Sequence, residues 1–192
     1  GVFITGATFA IDSSDDAVHS NGTITIDGGT FQISSGDDGM HADGTLTING
    51  GEVTLTQSYE GLEASAITIN DGTIYVTASD DALNVAGGVD GSSTSGRPGE
   101  NQFVGNTDNK LTLNGGYLVV DSGGDGLDSN GTATLTGGTV IVNGPTMDSN
   151  GALDAQAFTV SGGFLVAAGS SCMAEAPSDT STQCAVMVNF DQ

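Results

Sequence analysis

The feature that most constrains this chain is its self-similarity at a period of 22 residues. Residues 22–43 (GTITIDGGTFQISSGDDGMHAD), 44–65 (GTLTINGGEVTLTQSYEGLEAS) and 66–86 (AITINDGTIYVTASDDALNVA) share one template, and an earlier copy starts at Gly1. Slightly shorter copies run over 110–130 and 131–150, and a degenerate one over 158–169, about seven in all. No such repeat can bury its apolar face alone. Repeats of this length stack so that each contacts only its neighbours.

Within each copy apolar and polar residues alternate, turn at Asp27-Gly28-Gly29, Asn49-Gly50-Gly51 or Asn114-Gly115-Gly116, and alternate again. Asn and Gly supply the positive φ that such turns need. In register, Ile24, Leu46, Ile67 and Leu111 form one inward ladder. Ile26, Ile48, Ile69, Leu113 and Leu135 form a second, and Phe31, Val53, Ile74, Leu118 and Val140 a third. Val18, Met40, Leu62, Leu83, Leu127 and Met147 close the last corner. The pattern predicts an all-β, right-handed parallel β-helix, a three-sided solenoid of about seven rungs. With 31 Gly, no Trp and seven Phe, the core it can fill is thin. The expected organisation is a single domain over 1–192, with a polar, glycine-rich inserted loop over 87–109 and a C-terminal segment over 170–192. In that segment the spacing of Cys172 and Cys184 suits a disulfide, and hence an oxidising compartment. The absence of an apolar run of about twenty residues argues against membrane insertion. Together these predict an extracellular or cell-surface chain.

Twenty-four acidic residues oppose only Lys110 and Arg97, a formal charge of −22. Nucleic acid is excluded as a partner by charge, and an anionic ligand needs intervening cations. The acids are not scattered. A short signature precedes each restart: DDAVHSN from Asp15, DDGMHAD from Asp37, YEGLEAS from Tyr59, DDALNVA from Asp80, GDGLDSN from Gly124. Its second position stacks Asp16, Asp38, Glu60, Asp81 and Asp125; three residues on, His19, His41, Glu63, Asn84, Asp128 and Asp148 stack beside them. Strands lie about 4.8 Å apart, so stacked carboxylates repel by about 1 kcal/mol in water and several times that at lower effective dielectric. A hard cation with six to eight oxygen ligands relieves the repulsion, which points to Ca²⁺ held by Asp37, Asp38, Glu60, Glu63, Asp80, Asp81, Asn84, Asp125 and Asp128. His19 and His41 read as outward-facing polar residues rather than transition-metal ligands.

A row of Thr25, Thr47, Thr68, Thr112, Thr134 and Thr159 faces outward on the first strand, as good exposed strand residues do. The outward column of the second strand, Gln32, Thr54, Tyr75, Val119, Ile141 and Val166, turns apolar toward the C-terminus and is flanked by Tyr117 and Phe164. A cover is expected there. Tyr59, Tyr75, Arg97 and Phe103 are the candidate ligand-binding residues.

The run GGTFQISSGDDGMHADGTLTINGGEVTLTQSYEGLEASAITINDGTIYVTASDDALNVAGG, above all SYEGLE at 58–63, resembles a bacterial family of secreted carbohydrate-binding parallel β-helix domains that are similar in fold to pectate lyases. The similarity extends through NGGYLVVDSGGDGLDSNGTATLTGGTVIVNGP and the tail. The resemblance implies Ca²⁺ at acidic corners and attachment to polysaccharides such as cellulose or pectic acid. A lyase would need a basic cluster, and two isolated basic residues do not make one, so the expectation is a non-catalytic binder of acidic or neutral polysaccharide. The alternative is a self-assembling structural protein in which the strand-like CAVMVNF at the C-terminus pairs with the Gly1 rung of another copy, giving head-to-tail filaments.

Overall fold

Because apolar and polar residues alternate along every repeat, a segment can bury its apolar side only by lying flat on a core shared with its neighbours. The computed structural model describes residues 1–86 and 108–190, and in them the repeats stack as a β-solenoid of about seven turns without helix. The first rung comprises β1 (Val2–Ile4), β2 (Thr8–Ser13) and β3 (Val18–Ser20); the second, β4 (Thr23–Ile26), β5 (Thr30–Ser35) and the start of β6 (Met40–Ile48). The third continues β6 and adds β7 (Glu52–Gln57) and the start of β8 (Leu62–Ile69); the fourth continues β8 into β9 (Thr73–Ala78) and β10 (Leu83–Val85). The fifth is β11 (Lys110–Leu113), β12 (Tyr117–Ser122) and the start of β13 (Leu127–Leu135). The sixth continues β13 into β14 (Thr139–Asn143) and the start of β15 (Leu153–Val160), and the seventh ends with β16 (Phe164–Ala168).

Every strand pairing among the described residues is parallel. The second strands form one sheet in the order β16-β14-β12-β9-β7-β5-β2. The first and third faces share the other sheet, because β6, β8, β13 and β15 run round the corner between them, with irregular register between Ala42 and Thr45 and between Ser129 and Thr132. Two sheets therefore make the three sides. β10 and β11, on either side of 87–107, each pair with both β8 and β13, so the stack continues in register across that stretch.

The inward ladders stand in the expected register. Ile24, Leu46, Ile67 and Leu111 align, then Ala133 and Phe158, where a small residue offsets a large one. Phe31 is wholly buried and stacks on Phe9 with ring centroids 4.7 Å apart. Each such aliphatic side chain removed from water stabilises the fold by about 1.5–3 kcal/mol.

One corner position differs from expectation. Leu153, not Met147, pairs with Leu127, and Met147 is 58% exposed. The residue before each corner hydrophobe must be small, because second-face side chains pack on it: a Cβ at Gly39 would fall on Leu55, one at Gly61 on Val76, one at Gly126 on Val142. Ala152 meets that requirement and Thr146 does not.

The turns after the first face are held by a side-chain ladder. Asn49 donates to Asp27, Asn70 to Asn49, Asn114 to Asn70 and Thr136 to Asn114, at 2.6–2.8 Å. Two positions after each ladder residue φ is positive, 99° at Gly51, where a Cβ would come within 2.7 Å of the Gly29 carbonyl oxygen. The first rung has Ala7 there at φ 113°.

Beyond β16 the chain folds back along β15. Ser178 and Thr182 donate their amides to the carbonyls of Phe158 and Val160, and the Ser178 and Ser181 hydroxyls accept from the amides of the same two residues. Within this chain no strand pairing is formed over 184–190; Val186, Val188 and Phe190 are exposed. Nor is the expected disulfide: Cys172 and Cys184 are both exposed and free. Cys172 lies by Asp148 and Ser170, whereas Cys184 follows Gln183, which bonds Val160 and Gly163 at another corner. A disulfide needs Cα atoms within about 7 Å.

Candidate functional site

The acidic signature falls on the corner between the second and third faces. Backbone register places Asp16, Asp38, Glu60, Asp81 and Asp125 above one another, and at three steps an amide of the next rung donates to the acid before it: Asp38 to Asp16 Oδ1 at 3.1 Å, Asp125 to Asp81 Oδ1 at 2.6 Å, Gly151 to Asp125 Oδ1 at 2.5 Å. The column beside it reads His19, His41, Glu63, Asn84, Asp128 and Asp154. Asp154, not Asp148, ends it. The motif GALDA at 151–155 echoes DGLDS at 125–129 and carried that signal; Thr146-Met147-Asp148 resembles it less closely.

The middle of this double column is enclosed. Asp38, Glu60, Asp81, His41 and Asn84 are at most 2% exposed. His41 Nδ1 lies 3.1 Å from Asp38 Oδ2 and 2.8 Å from Glu63 Oε2, and Asn84 donates to Glu60 Oε2 at 2.6 Å. Asp38 Oδ1 and Glu60 Oε1 are buried and make no hydrogen bond. Burial, reinforced by Glu63, Asp38 and Asp81, pushes Glu60 well above the usual carboxylate range, and burial with Asp128, Asp125 and Asp80 does the same to Asp81. Burial would lower His41, but its bonds to Asp38 and Glu63 win and push it up to about 11. The imidazolium is thus an internal counter-charge for the second and third rungs.

Farther along no basic side chain stands in the columns. Carboxylate oxygens of Asp125, Asp128 and Asp154 lie within 4.8 Å of one another, as do those of Asp15, Asp16 and Asp37 at the other end. Burial, with Asp154 and Asp125 close by, pushes Asp128 up to about 7; burial, with Asp154 and Asp80, pushes Asp125 up to about 6. Oxygen-only clusters suit a hard divalent cation. Of the residues expected to hold one, Asp125 and Asp128 come together with Asp154; Asp38 and Glu63 group with His41; Glu60, Asp81 and Asn84 line the enclosed middle, and Asp80 is half-buried beside it.

The candidate ligand-binding residues separate. Tyr59 is half-buried, and burial and a hydrogen bond to Asp80 raise its hydroxyl far above the ordinary value. Tyr75 is 41% exposed on the outer side of the second face and meets Tyr117 edge-on at 6.1 Å. Tyr117, Phe164 and Val166 continue the apolar strip, exposed at 38%, 57% and 46%. Arg97 and Phe103, with the rest of 87–107, lie outside the described residues. No helix among the described residues is long and apolar enough to cross a membrane.

No curated protein and no solved structure matches this chain. A model of a family described as carbohydrate-binding domain-containing protein matches it twice, over residues 1–39 and 38–82, which together carry the first four rungs as far as Asp80 and Asp81.

Proposed function

We propose that this chain is a non-catalytic, extracellular or cell-surface polysaccharide-binding solenoid whose acidic corners take up Ca²⁺. The observation that carries the reading is the strip of Tyr75, Tyr117, Val119, Ile141, Phe164 and Val166 along the outside of the second face. Tyr75 and Tyr117 sit on adjacent rungs and Phe164 two rungs on, so the strip runs along the solenoid axis over about 15 Å. An exposed apolar row of this kind marks an interaction site, and aromatic rings offer sugar C–H faces an apolar platform with a polar rim from the tyrosine hydroxyls. The family match over the first four rungs supports carbohydrate as the partner.

Calcium fits the residues present. Asp125, Asp128 and Asp154 supply a compact oxygen set, and orphaned oxygens on buried Asp38 and Glu60 are groups a cation would satisfy. A bound ion would neutralise the columns and, at an exposed corner, could bridge to a uronate carboxylate. Catalysis has less behind it. Lys110 is exposed in a row between Ala66 and Thr132, with no second Lys or Arg among the described residues to hold a uronate, and the paired acids are packed into corners.

The test is retention of the protein by insoluble cellulose-type glucan and, in gel retardation, by polygalacturonate. Tyr75→Ala with Tyr117→Ala should weaken retention on both at least tenfold, and chelation should weaken the acidic arm alone. Retention unchanged in the double variant, or release of shortened or unsaturated sugars, would overturn the reading.

A further inference from the structure

The chain beyond β16 carries one more partial copy of the repeat. Residues 180–189 (TSTQCAVMVN) match 134–143 (TLTGGTVIVN) and 159–168 (TVSGGFLVAA) without a gap. On that alignment Thr180 extends the threonine row, Thr182 follows Thr136 and Ser161 at the turn, and 185–189 stands one rung beyond Phe164–Ala168. The first half of this rung is in place. Thr180 and Thr159 share a hydroxyl hydrogen bond at 3.2 Å, and the Thr182 amide donates to Val160 as the Ser161 amide donates to Leu135 and the Thr136 amide to Leu113. The second half stands away from the stack. β16 pairs with β14 alone, so its other edge is free among the described residues. A cleft of about 1360 Å³ is lined there by Leu165 and Ala167 of the last rung and by Val186, Val188 and Phe190 of the tail.

Two details of the turn account for the separation. In earlier rungs the first amide of the second strand donates to a glycine carbonyl one rung back: Tyr117 to Gly72, Thr139 to Gly116, Phe164 to Gly138. The next acceptor, the Gly163 carbonyl, is taken by the Gln183 side chain at 3.2 Å. Cys184, moreover, stands where Gly116, Gly138 and Gly163 hold positive φ, a conformation that a Cβ disfavours. Neither obstacle is prohibitive. Ala7 holds the same φ in the first rung, and the Ala185 amide can replace the Gln183 amide on one carbonyl. We propose that residues 185–189 form the second strand of an eighth rung, a strap hinged at Gln183-Cys184 that docks on the free edge of β16 in equilibrium with the undocked arrangement. Docking sets Val186 over Leu165 and Val188 over Ala167, as Leu165 and Ala167 lie over Val140 and Val142. It closes the cleft, leaves Met187 outward at the head of the column of Ile141 and Val166, and satisfies backbone groups that a bare edge offers to other chains. The inference concerns the closing of the stack and stands whatever the outer strip binds.

The experiment measures amide hydrogen exchange by NMR on the full chain and reads a period of two. A parallel edge strand bonds its neighbour through alternate residues. The amides of Ala185, Met187 and Asn189, with those of Leu165 and Ala167, should therefore exchange about tenfold slower than their intrinsic rates. Those of Val186 and Val188, pointing away from β16, should stay fast. Cys184→Gly removes the φ penalty and should deepen the protection about fivefold. Val188→Asp, at a side chain exposed in the undocked arrangement, should erase it while leaving the amides of β12 and β14 protected. No alternating protection even in Cys184→Gly, or protection that survives Val188→Asp, would overturn the proposal. So would protection that grows with protein concentration, which would place the strand on a second copy.

Discussion

Removing divalent cations should reverse the pH dependence of stability, and Asp128 is the residue on which to see it. In the folded chain burial and the neighbouring Asp154 and Asp125 raise Asp128 from 3.8 to about 7. The native state therefore holds more protons than the unfolded state between about pH 4 and pH 7. Stability rises with pH only where the unfolded state binds more protons, so here it must fall as pH rises, most steeply across that window. A rise of about three pH units corresponds to about 4 kcal/mol. Solvent screening at this partly open corner reduces the figure to about 2 kcal/mol. For a chain of this length that is a loss of about 4–8 °C in Tm. Calcium bound as proposed would compete with the same protons, so its stabilisation should grow with pH and, at a hundredfold excess over Kd, reach about 2.7 kcal/mol. The assay is thermal unfolding from pH 5 to pH 8 in EDTA and in Ca²⁺, for the parent chain, Asp128→Asn and the control Asp148→Asn, which probes the same change of net charge outside the column. Asp128→Asn should flatten the slope in EDTA and shrink the calcium response; Asp148→Asn should do neither. Equal slopes in the two variants, or a chelated parent more stable at pH 8 than at pH 5, would refute the reasoning.

Ala7 holds the positive φ that Gly carries in the other rungs, so Ala7→Gly should raise Tm, by about 1 kcal/mol of relieved strain, in contrast to the usual cost of glycine. Gly51→Ala should do the opposite and cost several kcal/mol, since the new Cβ meets the Gly29 carbonyl as well as a disfavoured φ; chemical denaturation reads both. The two cysteines should react rapidly with a thiol reagent under non-reducing conditions, two per chain without denaturant, and a single reactive thiol or none would contradict their separation at different corners.

The fold was legible because period and alternation speak to the same geometry: a ladder such as Ile26, Ile48 and Ile69 needs only equal spacing to be found. The expectation failed where spacing changes. The sixth rung is longer, and matching on TMDSN rather than GALDA placed Met147 and Asp148 in columns that belong to Leu153 and Asp154. What decides between the two is the small residue required under the second-face side chains, a packing rule visible only once Leu55 and Val76 are seen against Gly39 and Gly61. At the site, the acids were found by their columns, but the burial of His41 was not, because a histidine next to aspartates reads equally well as solvated. Asp43, the last residue of the DDGMHAD signature, reaches the imidazole only through the bend in β6, which the spacing does not reveal.

Parallel stacking also decides how such a molecule bears load. The backbone hydrogen bonds that join one rung to the next lie along the solenoid axis, so a pull between its two ends opens them in turn, as a zipper, instead of shearing many at once. Each rung that lets go frees about 22 residues, or about 75 Å of extended chain, for a loss of one layer about 4.8 Å thick. A chain anchored at one end and holding a polysaccharide by its flank would lengthen in steps under tension, and cations clasping neighbouring corners would set the force at which each step yields.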